Sequence, residues 1–510
     1  MFRRLHLDDW RTIGHYLGML ILLVALSMLP AFALALCLGE YTTAVDFMIS
    51  AGITGIVGGL LLFCRVTPAK LDWRQSLMIT GLCWVILSIF GALPLWMSGH
   101  YTSYFDSFFE TVSAFTTTGM SLTIDVDHMA LSLTMWRCTM HLIGGVGVVV
   151  LALALGIFGT GSAAATLYRA EARSGQVMPE IKQTSRFILK VAIVIVVAGT
   201  LACFVPFLIS GQEPLRAALN AFFVTASSFS TGGMTDSGSG IIGYHCWPIE
   251  CIAVVLAAFG CVNFTLYGDL WKGVYSRFFK DIEIRTIVVW VTGLALIMAF
   301  ALVGSYFTTM GGMVRRGLFE MLSGAFNLGF STLYAGQVLF AMGSGALFVI
   351  ILAMTICGSA SSASGGIKAL RIGLITRSFV QTMREALAPD RAQPRTFYYQ
   401  RGKHLLSSEL VSSAMIIMLL YVALYAVGAV AGIAYGYDAL PSIFDSVSAA
   451  SNTGLSLGVA SPEMPKPLEV IYIIEMWLGR LEFIAIFAMV VEFFAFLIPQ
   501  RRSKWWARKK

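Results

Sequence analysis

The sequence predicts an all-α integral membrane protein in which four pseudo-symmetric helix–pore-loop–helix repeats surround a central pore, preceded by two further transmembrane helices. Composition is the first reason, because 57% of the 510 residues are hydrophobic and 12% are charged, about half the charge of a typical soluble domain. The second reason is a short pattern that returns four times and places a glycine ten residues after a phenylalanine. Equal register at four places indicates an internal repeat. The pairs are Phe109 with Gly119, Phe223 with Gly233, Phe319 with Gly329, and Phe444 with Gly454.

Two apolar runs precede the first repeat, from about residue 15 to 38 and from about residue 44 to 64. The first run is too long for the apolar core of a signal peptide and has no clear small-residue cleavage site, so we expect it to be retained as a transmembrane helix. Residues 1–74 are therefore assigned to an N-terminal pair of transmembrane helices.

Each repeat has the same predicted order of a spanning helix, a half-length segment with a loop, and a second spanning helix. The half-length segments are too short to cross the roughly 30 Å of hydrocarbon as helices, so each must enter and leave the membrane on the same side. Non-helical backbone at membrane depth is tolerated only when it is buried in protein or lines an aqueous path, which predicts a pore. Two helices and four pairs make about ten spans in all. The half-length segments are residues 105–121, 214–234, 316–332 and 440–456, within repeats 75–165, 166–280, 281–405 and 406–498.

The basic residues predict the orientation of the chain. With both termini in the cytoplasm, 29 of the 35 lysines and arginines fall in cytoplasmic segments, as the positive-inside rule requires, and all four loops lie outside.

The net charge of +7 is spread over short loops and a basic tail (residues 499–510) and forms no patch for nucleic acid. We expect the tail to anchor on anionic lipid, with a protein contact as the alternative. Residues 384–404 could dock a partner or be an ordinary loop.

The four loops carry the chemistry expected of an ion filter. A dehydrated alkali cation needs a ring of oxygen ligands, which backbone carbonyls supply where glycine permits the necessary angles. Four acids precede the loops and either attract cations to the mouth or cap the half-helices. These acids are Asp106, Glu110, Glu320 and Asp445. The predicted filter residues are Thr117, Thr118, Gly119, Thr231, Gly232, Gly233, Asn327, Leu328, Gly329, Asn452, Thr453 and Gly454.

The loops TTTGM, STGGM and SNTGLS, together with HLIGGVGVVVLALAL and LGRLE in two return helices, resemble the Trk/Ktr/HKT cation-transporter superfamily, and most closely its TrkH-type potassium uptake subunits. The resemblance covers essentially the whole chain. It implies a homodimer in a bacterial-type cytoplasmic membrane that works with a cytosolic, nucleotide-binding TrkA-type regulatory ring. In this family, glycine at all four filter positions accompanies potassium preference, whereas serine at the first position favours sodium. Leu328 departs from the usual threonine or alanine, and its bulk leaves the width of the filter open.

A segment rich in small residues follows the third loop. Ten of the eleven residues from 356 to 366 are small, so a helix is expected to break there. By resemblance, this stretch is an intramembrane loop that obstructs the pore and is moved by the regulatory ring. The alternative is close helix packing through small side chains. The predicted gate comprises Gly358, Ser359, Ala360, Ser361, Ser362, Ala363, Ser364, Gly365, Gly366 and Lys368, together with Arg480.

Arg480 is a basic residue inside a long apolar run, where a charge is costly and normally faces a cavity or a partner. By resemblance it would lie under the filter as an electrostatic barrier. An ion pair with Glu475 or Glu482 is the structural alternative, and both interpretations can hold together.

The leading functional hypothesis is a potassium-conducting subunit that is gated from the cytoplasm and needs no cofactor other than the transported K⁺. Sodium or mixed cation permeation is an alternative within the same fold. A proton- or sodium-coupled transporter would need a titratable residue at mid-membrane, and few acids are available there. A non-conducting sensor would leave the four loops unexplained. No catalytic motif is found, so an enzyme is not expected.

Overall fold

A computed structural model describes residues 7–64, 71–147, 150, 153, 181–302, 310–387 and 396–497. Throughout these ranges the chain is helical apart from loops and two short pairs of strands, so the all-α prediction is confirmed. Six of the described helices are long and apolar enough to cross a membrane, and a bent pair of helices would make a seventh. These six are α1 with α2 (Leu7–Leu38), α3 (Tyr41–Leu62), α4 (Trp73–Met97), α7 (Ile181–Ile209, of which Gln183–Ile209 is the candidate span), α12 (Ile282–Ala301) and α17 (Ser408–Ala434).

The N-terminal hairpin is formed by two spans. The first consists of α1 (Leu7–Ser27) together with α2 (Leu29–Leu38), and the second is α3. Pro30 lies in the first turn of α2, where its missing N–H removes no helical hydrogen bond. Gly39 ends α2 with a left-handed φ of 75°. Helices α1 and α3 approach closely at Gly18, where a side chain would lie 2.9 Å from the carbonyl oxygen of Gly58. Close approach through glycine is typical of helix pairs in membranes.

Four half-length helices occupy the four predicted dips. The first begins with a capping box, in which Ser103 and Asp106 bond each other's backbone N–H groups, and the second begins with Pro214. The third starts at Met310–Gly312 and passes through a π-helical turn, Met313–Leu318. The half-length helices are α5 Tyr104–Phe115, α8 Pro214–Phe229, α13 Phe319–Ala325 and α18 Ala439–Ser451.

The return helices differ from the prediction of continuous spans. In the second repeat, α9 (Trp247–Cys261) and α10 (Phe264–Trp271) are bent by 95° to each other. In the third repeat, α14 (Ala335–Ala341) and α15 (Gly343–Thr355) are separate helices. In the fourth repeat the helix breaks after Leu481 and resumes at Ile484. These two segments are α19 Lys466–Leu481 and α20 Ile484–Leu497. The first return helix, α6, spans Leu131–Val146, and most of the remainder of the first predicted repeat, residues 148–165, lies outside the described residues.

The small-residue segment ends α15 and forms a buried loop. Its two ends pair as parallel strands, β1 (Ile356–Cys357) with β2 (Ile367–Lys368), and the amphipathic helix α16 (Ala369–Leu387) follows directly. A second pair, β3 (Phe397–Tyr399) with β4 (Lys403–Leu405), forms an antiparallel hairpin before α17. A short helix, α11 (Tyr275–Lys280), connects the second and third repeats.

Candidate ion site

The four loops form a closed ring in chain order. A Cβ placed on the glycine of each loop would lie closer than 3.0 Å to backbone of the next loop, and the glycine of the fourth loop meets the first. The four glycines are partly exposed, whereas the two residues before each of them are buried, with Gly232 among the buried ones. The loops therefore surround a common axis. The contacts are Gly119 with Gly232, Gly233 with Gly329, Gly329 with Thr453, and Gly454 with Thr118.

The backbone repeats the same unusual conformation in every loop. Two residues before each glycine, a non-glycine residue has a left-handed φ between 49° and 58°, and each glycine has a φ between 73° and 90°. A non-glycine residue in this region costs about 1 to 3 kcal/mol and persists only where its surroundings impose it. Its occurrence at one register in four loops shows that the fold imposes it. The four residues are Thr117, Thr231, Asn327 and Asn452.

Two asparagine side chains connect neighbouring loops. Asn327 Nδ2 donates to the carbonyl oxygen of Ser451 at 2.6 Å, which joins the third loop to the fourth. Asn452 Nδ2 donates to Thr118 Oγ1 at 2.8 Å and to the carbonyl oxygen of Met476 at 2.9 Å. The left-handed asparagines therefore hold the ring together as well as turning the chain.

The side chains just before the glycines pack into the protein. Leu328 is fully buried in a cluster that includes Phe319 and Phe330, so its bulk fills space between the second and third repeats. In the second loop, a Cβ on Gly232 would overlap the ring of His141. His141 is fully buried, and among the described residues neither of its ring nitrogens has a hydrogen-bond partner. His141 therefore occupies the space that a side chain fills in the other loops.

Three of the four acids considered at the mouth brace the segment that follows a loop glycine. Glu110, Glu320 and Asp445 lie one residue after the repeated phenylalanine and are at most 1% exposed. Each accepts hydrogen bonds from a serine hydroxyl and a backbone N–H eleven and twelve residues further on. The fourth acid, Asp106, forms the capping box and an ion pair with Lys466. The serine and N–H donors are Ser121 and Leu122, Ser331 and Thr332, and Ser456 and Leu457.

A buried arginine that the sequence analysis did not single out joins the first and second loops. Arg137 is 2% exposed and pairs with Glu110 at 2.7 Å. It also donates to the carbonyl oxygen of Thr235 at 3.3 Å and to Ser121 Oγ at 3.3 Å. An arginine inside an apolar helix needs a partner, and that signal was present in the sequence of the first return helix.

The small-residue segment is bonded to the bend between α9 and α10. Ser359 N donates to the carbonyl oxygen of Cys261 at 2.8 Å, and Ala363 N donates to that of Gly260 at 2.9 Å. In return, Phe264 N donates to the carbonyl oxygen of Ser361 at 3.2 Å. The segment therefore replaces helical hydrogen bonds that the bend leaves open.

The same segment lies against the ring of loops. A Cβ on Gly365 would overlap the side chain of Asn452, and Thr117 Oγ1 donates to the carbonyl oxygen of Ala363 at 3.5 Å. Lys368 Nζ donates to the carbonyl oxygen of Ser364, within its own loop. All the predicted gate residues from Gly358 to Gly366 are buried, as is Lys368. The structure thus brings the predicted filter and gate residues into one cluster.

Arg480 bridges three parts of this cluster. It donates to Thr117 Oγ1 at 3.0 Å, and to the carbonyl oxygens of Ala363 and Gly144. Of the two acids considered as its partners, Glu482 pairs with Arg371 and Glu475 accepts from Ser446 Oγ at 2.9 Å. Arg480 therefore connects the first loop, the small-residue segment and the first return helix.

A ring of four loops enclosed by long apolar helices defines a multi-pass membrane protein. Residues 44–504 match the TrkH family, described as cation transport protein. The chain belongs to this family, and it is accordingly a transporter and not an enzyme.

Comparisons with individual proteins agree over nearly the full length. An uncharacterized cation transporter of Methanocaldococcus jannaschii is 30% identical over 95% of this chain and 96% of its own length. The Trk system potassium uptake protein TrkH of Halomonas elongata is 28% identical over 95% of this chain and 98% of its own. The crystal structure of the potassium transporter TrkH from Vibrio parahaemolyticus superposes with a TM-score of 0.79, covering 94% of this chain and 98% of that one at 24% identity. This similarity confirms the fold.

Proposed function

We propose that this chain is the translocation subunit of a potassium uptake system and conducts K⁺ and Rb⁺ passively through the ring of four loops. The closed ring of glycines, each with left-handed backbone against the next loop, is the observation that carries the proposal. Backbone carbonyls held in this way can replace the hydration shell of a monovalent cation. The names of relatives as potassium uptake proteins support the choice of ion.

The small-residue segment and Arg480 act as the gate in this proposal. The segment lies against the first and fourth loops, and Arg480 holds it there through Ala363. A cation leaving the ring towards this segment would meet the guanidinium charge. Opening therefore requires the segment to separate from the loops, and we assign that movement to a cytosolic TrkA-type nucleotide-binding ring acting on a homodimer. Both termini lie in the cytoplasm of a bacterial-type inner membrane in this arrangement, supported by the distribution of basic residues.

Cation flux into proteoliposomes tests the proposal, with K⁺, Rb⁺ or Na⁺ supplied and the native chain compared with Gly119→Ser. A serine Cβ at this position would overlap the carbonyl oxygen of Gly232 and would sit on a φ of 89°. We expect native K⁺ and Rb⁺ flux well above Na⁺ flux, and reduced discrimination in the variant.

Gly99→Ser is the matched control, because Gly99 also has a left-handed φ, of 74°, but has no atom within 4 Å of its Cβ position. It carries the backbone strain without the contact and should leave selectivity unchanged. Equal native flux of Na⁺ and K⁺ would point to a mixed cation channel. Flux that disappears without an imposed proton or sodium gradient would indicate a coupled transporter.

A further inference from the structure

A groove of about 610 Å³ lies between α12 and α16, the helix that follows the small-residue segment. The two helices are in close contact at Gly373, where a Cβ would lie 2.8 Å from Ile282 Cγ1 and from Thr286 Oγ1. The groove opens beside this contact and is lined by both helices and by Thr396. It is separate from the ring of loops and from the residues assigned to ion conduction.

One wall of the groove has the length and character of a path for an acyl chain. Val289, Gly293 and Ile297 follow Arg285 along α12 at intervals of one turn and line the groove. At 1.5 Å per residue, this wall is about 18 Å long, roughly half of the 30 Å hydrocarbon core of a bilayer. Val289 is 72% exposed and Ile297 is 53% exposed, so little of the protein covers them. The wall therefore matches one leaflet.

The groove also contains three arginines, Arg285, Arg377 and Arg384, and no acidic residue among the described residues that line it. Arg285 Nε donates to the carbonyl oxygen of Phe279 at 2.9 Å, and an Nη of Arg377 donates to that of Phe397 at 2.6 Å. A guanidinium has five N–H donors, so each of these two is held by backbone and keeps donors for a ligand. The planar guanidinium group of arginine can donate two parallel hydrogen bonds to the oxygens of a phosphate group.

We propose that this groove binds one anionic phospholipid, with its phosphate at the arginines and an acyl chain along the wall formed by Val289, Gly293 and Ile297. Basic pockets between transmembrane helices are suited to anionic lipid headgroups, and a soluble phosphate compound would leave the apolar wall exposed. The inference rests on insertion in a bilayer and not on which ion is transported. Because α16 continues directly from the small-residue segment, the bound lipid stabilises the position of the helix next to the proposed gate.

Native mass spectrometry of the purified full chain tests the site by titration with palmitoyl-oleoyl phosphatidylglycerol or with phosphatidylcholine of the same acyl chains. We expect phosphatidylglycerol to reach several-fold higher occupancy. The double variant Arg285→Gln/Arg384→Gln should reduce phosphatidylglycerol occupancy to the level of phosphatidylcholine, since both arginines are exposed and neither forms a core contact. The double variant Arg11→Gln/Lys280→Gln removes two exposed cations outside the groove and should behave as the native chain.

A second variant tests the apolar wall without a change of charge. Gly293 lines the groove and has no atom within 4 Å of its Cβ position, so the first carbon of a leucine enters open space, and Gly293→Leu should lower the occupancy of both lipids. Gly52→Leu is the control, because Gly52 is a helical glycine with the same open surroundings on α3. Retained elution volume and melting temperature confirm that the variants are folded.

Four results would overturn the proposal. The first is equal occupancy of the two lipids on the native chain, and the second is unchanged phosphatidylglycerol occupancy in both groove variants. The third is a groove variant that alters only the oligomeric state, which would assign the groove to a second copy of the chain. Inorganic phosphate in excess separates the two possible sources of the anion. Full displacement of phosphatidylglycerol by phosphate would show that the arginines recognise the anion alone and would contradict the role of the apolar wall.

Discussion

Single residues determine how the ring of loops is packed. The second loop shows this best, because a glycine stands where the first and fourth loops have a threonine. The first and fourth loops have threonine before the glycine, at Thr118 and Thr453, whereas the second has Gly232 with His141 in the space behind it. The four-fold register of the loops was predictable because it repeats along the sequence. The contact between Gly232 and His141 was not, because His141 belongs to the return helix of another repeat.

This contact predicts that two substitutions compensate each other. Gly232→Thr should lower the free energy of unfolding by about 1 to 3 kcal/mol, because it overpacks a close-packed site. His141→Ala removes the obstructing ring and leaves no hydrogen-bond partner unpaired among the described residues. The double variant should therefore be more stable than Gly232→Thr alone and should recover K⁺ flux, as measured by thermal melting and proteoliposome assay.

Met140→Ala is the control partner for Gly232→Thr, because Met140 is the buried neighbour of His141, whereas the three atoms nearest to a Cβ on Gly232 all belong to His141. Additive effects of Gly232→Thr and His141→Ala would contradict the packing assigned here, since residues in contact are expected to couple by 0.5 to 3 kcal/mol, as an order of magnitude.

The carboxylates after the repeated phenylalanines give a second prediction for single residues. Asp445 accepts from Ser456 Oγ at 2.6 Å and from the N–H groups of Leu457, Val459 and Ala460 at 2.7 to 3.1 Å. Asp445→Asn replaces one acceptor oxygen with an amide N–H₂ group, which cannot accept a hydrogen bond from the hydroxyl and N–H groups around it. Hydrogen bonds to charged groups contribute about 1.5 to 3 kcal/mol each, so we expect a clear loss of thermal stability and of K⁺ over Na⁺ discrimination.

Asp438→Asn is the control for this change, since Asp438 precedes the same half-helix, is exposed and makes no side-chain cap bond. Unaltered selectivity in Asp445→Asn would reject the bracing role. The sequence placed these acids near the mouth and left capping and cation attraction open. It could not reveal bracing, because local periodicity does not specify where a loop eleven residues later folds back.

At the scale of elements, the long spanning helices were predictable and the breaks in the return helices were not. Helix α12, the first predicted span of the third repeat, begins at Ile282. It was predictable because a continuous apolar run is itself the signal for a span. The break at Glu482 and Phe483 has left-handed φ values of 55° and 70°, yet apolar residues continue on both sides. Such a break depends on contacts with other elements, here the pairing of Glu482 with Arg371 of α16.

The connection between the first loop and the small-residue segment predicts how α19 contributes to the proposed gate. Arg480→Gln should remove the charge and weaken the bridge to Thr117 and Ala363, so basal K⁺ flux without a regulatory ring should rise several-fold. Arg480→Lys separates the two causes. Native-like flux in the lysine variant would assign the effect to charge, and raised flux would assign it to the geometry of the arginine fork. Native-like flux in Arg480→Gln would contradict a role of Arg480 in the proposed gate.

At the scale of the whole molecule, polar contacts join consecutive repeats around the ring. Arg137 of the first repeat donates to Thr235 of the second, and Lys466 of the fourth pairs with Asp106 of the first. Between the second and third repeats, Arg315 forms a two-point ion pair with Glu250 at 2.9 and 2.5 Å. The selectivity of the ring should therefore depend on how the repeats are held together and not only on the loop residues.

The Arg315–Glu250 pair has a close match within one repeat. Arg216 pairs with Asp236 at 2.8 Å inside the second repeat, and the exposed fractions are 47% and 5%, against 44% and 5% for Arg315 and Glu250. Removal of either pair, with Arg315→Gln or Arg216→Gln, should lower stability by about 1 to 3 kcal/mol, because a buried carboxylate loses a charged donor. Only Arg315→Gln should also lower K⁺ over Na⁺ discrimination, because it loosens the contact between neighbouring repeats.

The exchange Glu250→Arg/Arg315→Glu completes the test. Because the exchange restores opposite charges across the boundary between the second and third repeats, it should recover part of the stability and selectivity that Arg315→Gln loses. The corresponding exchange of Arg216 and Asp236 should change the melting temperature but leave the ratio of K⁺ to Na⁺ flux at its native value. Equal changes of selectivity in the two sets of variants would mean that the ring responds to global stability, and the loops would then not depend on contacts between repeats.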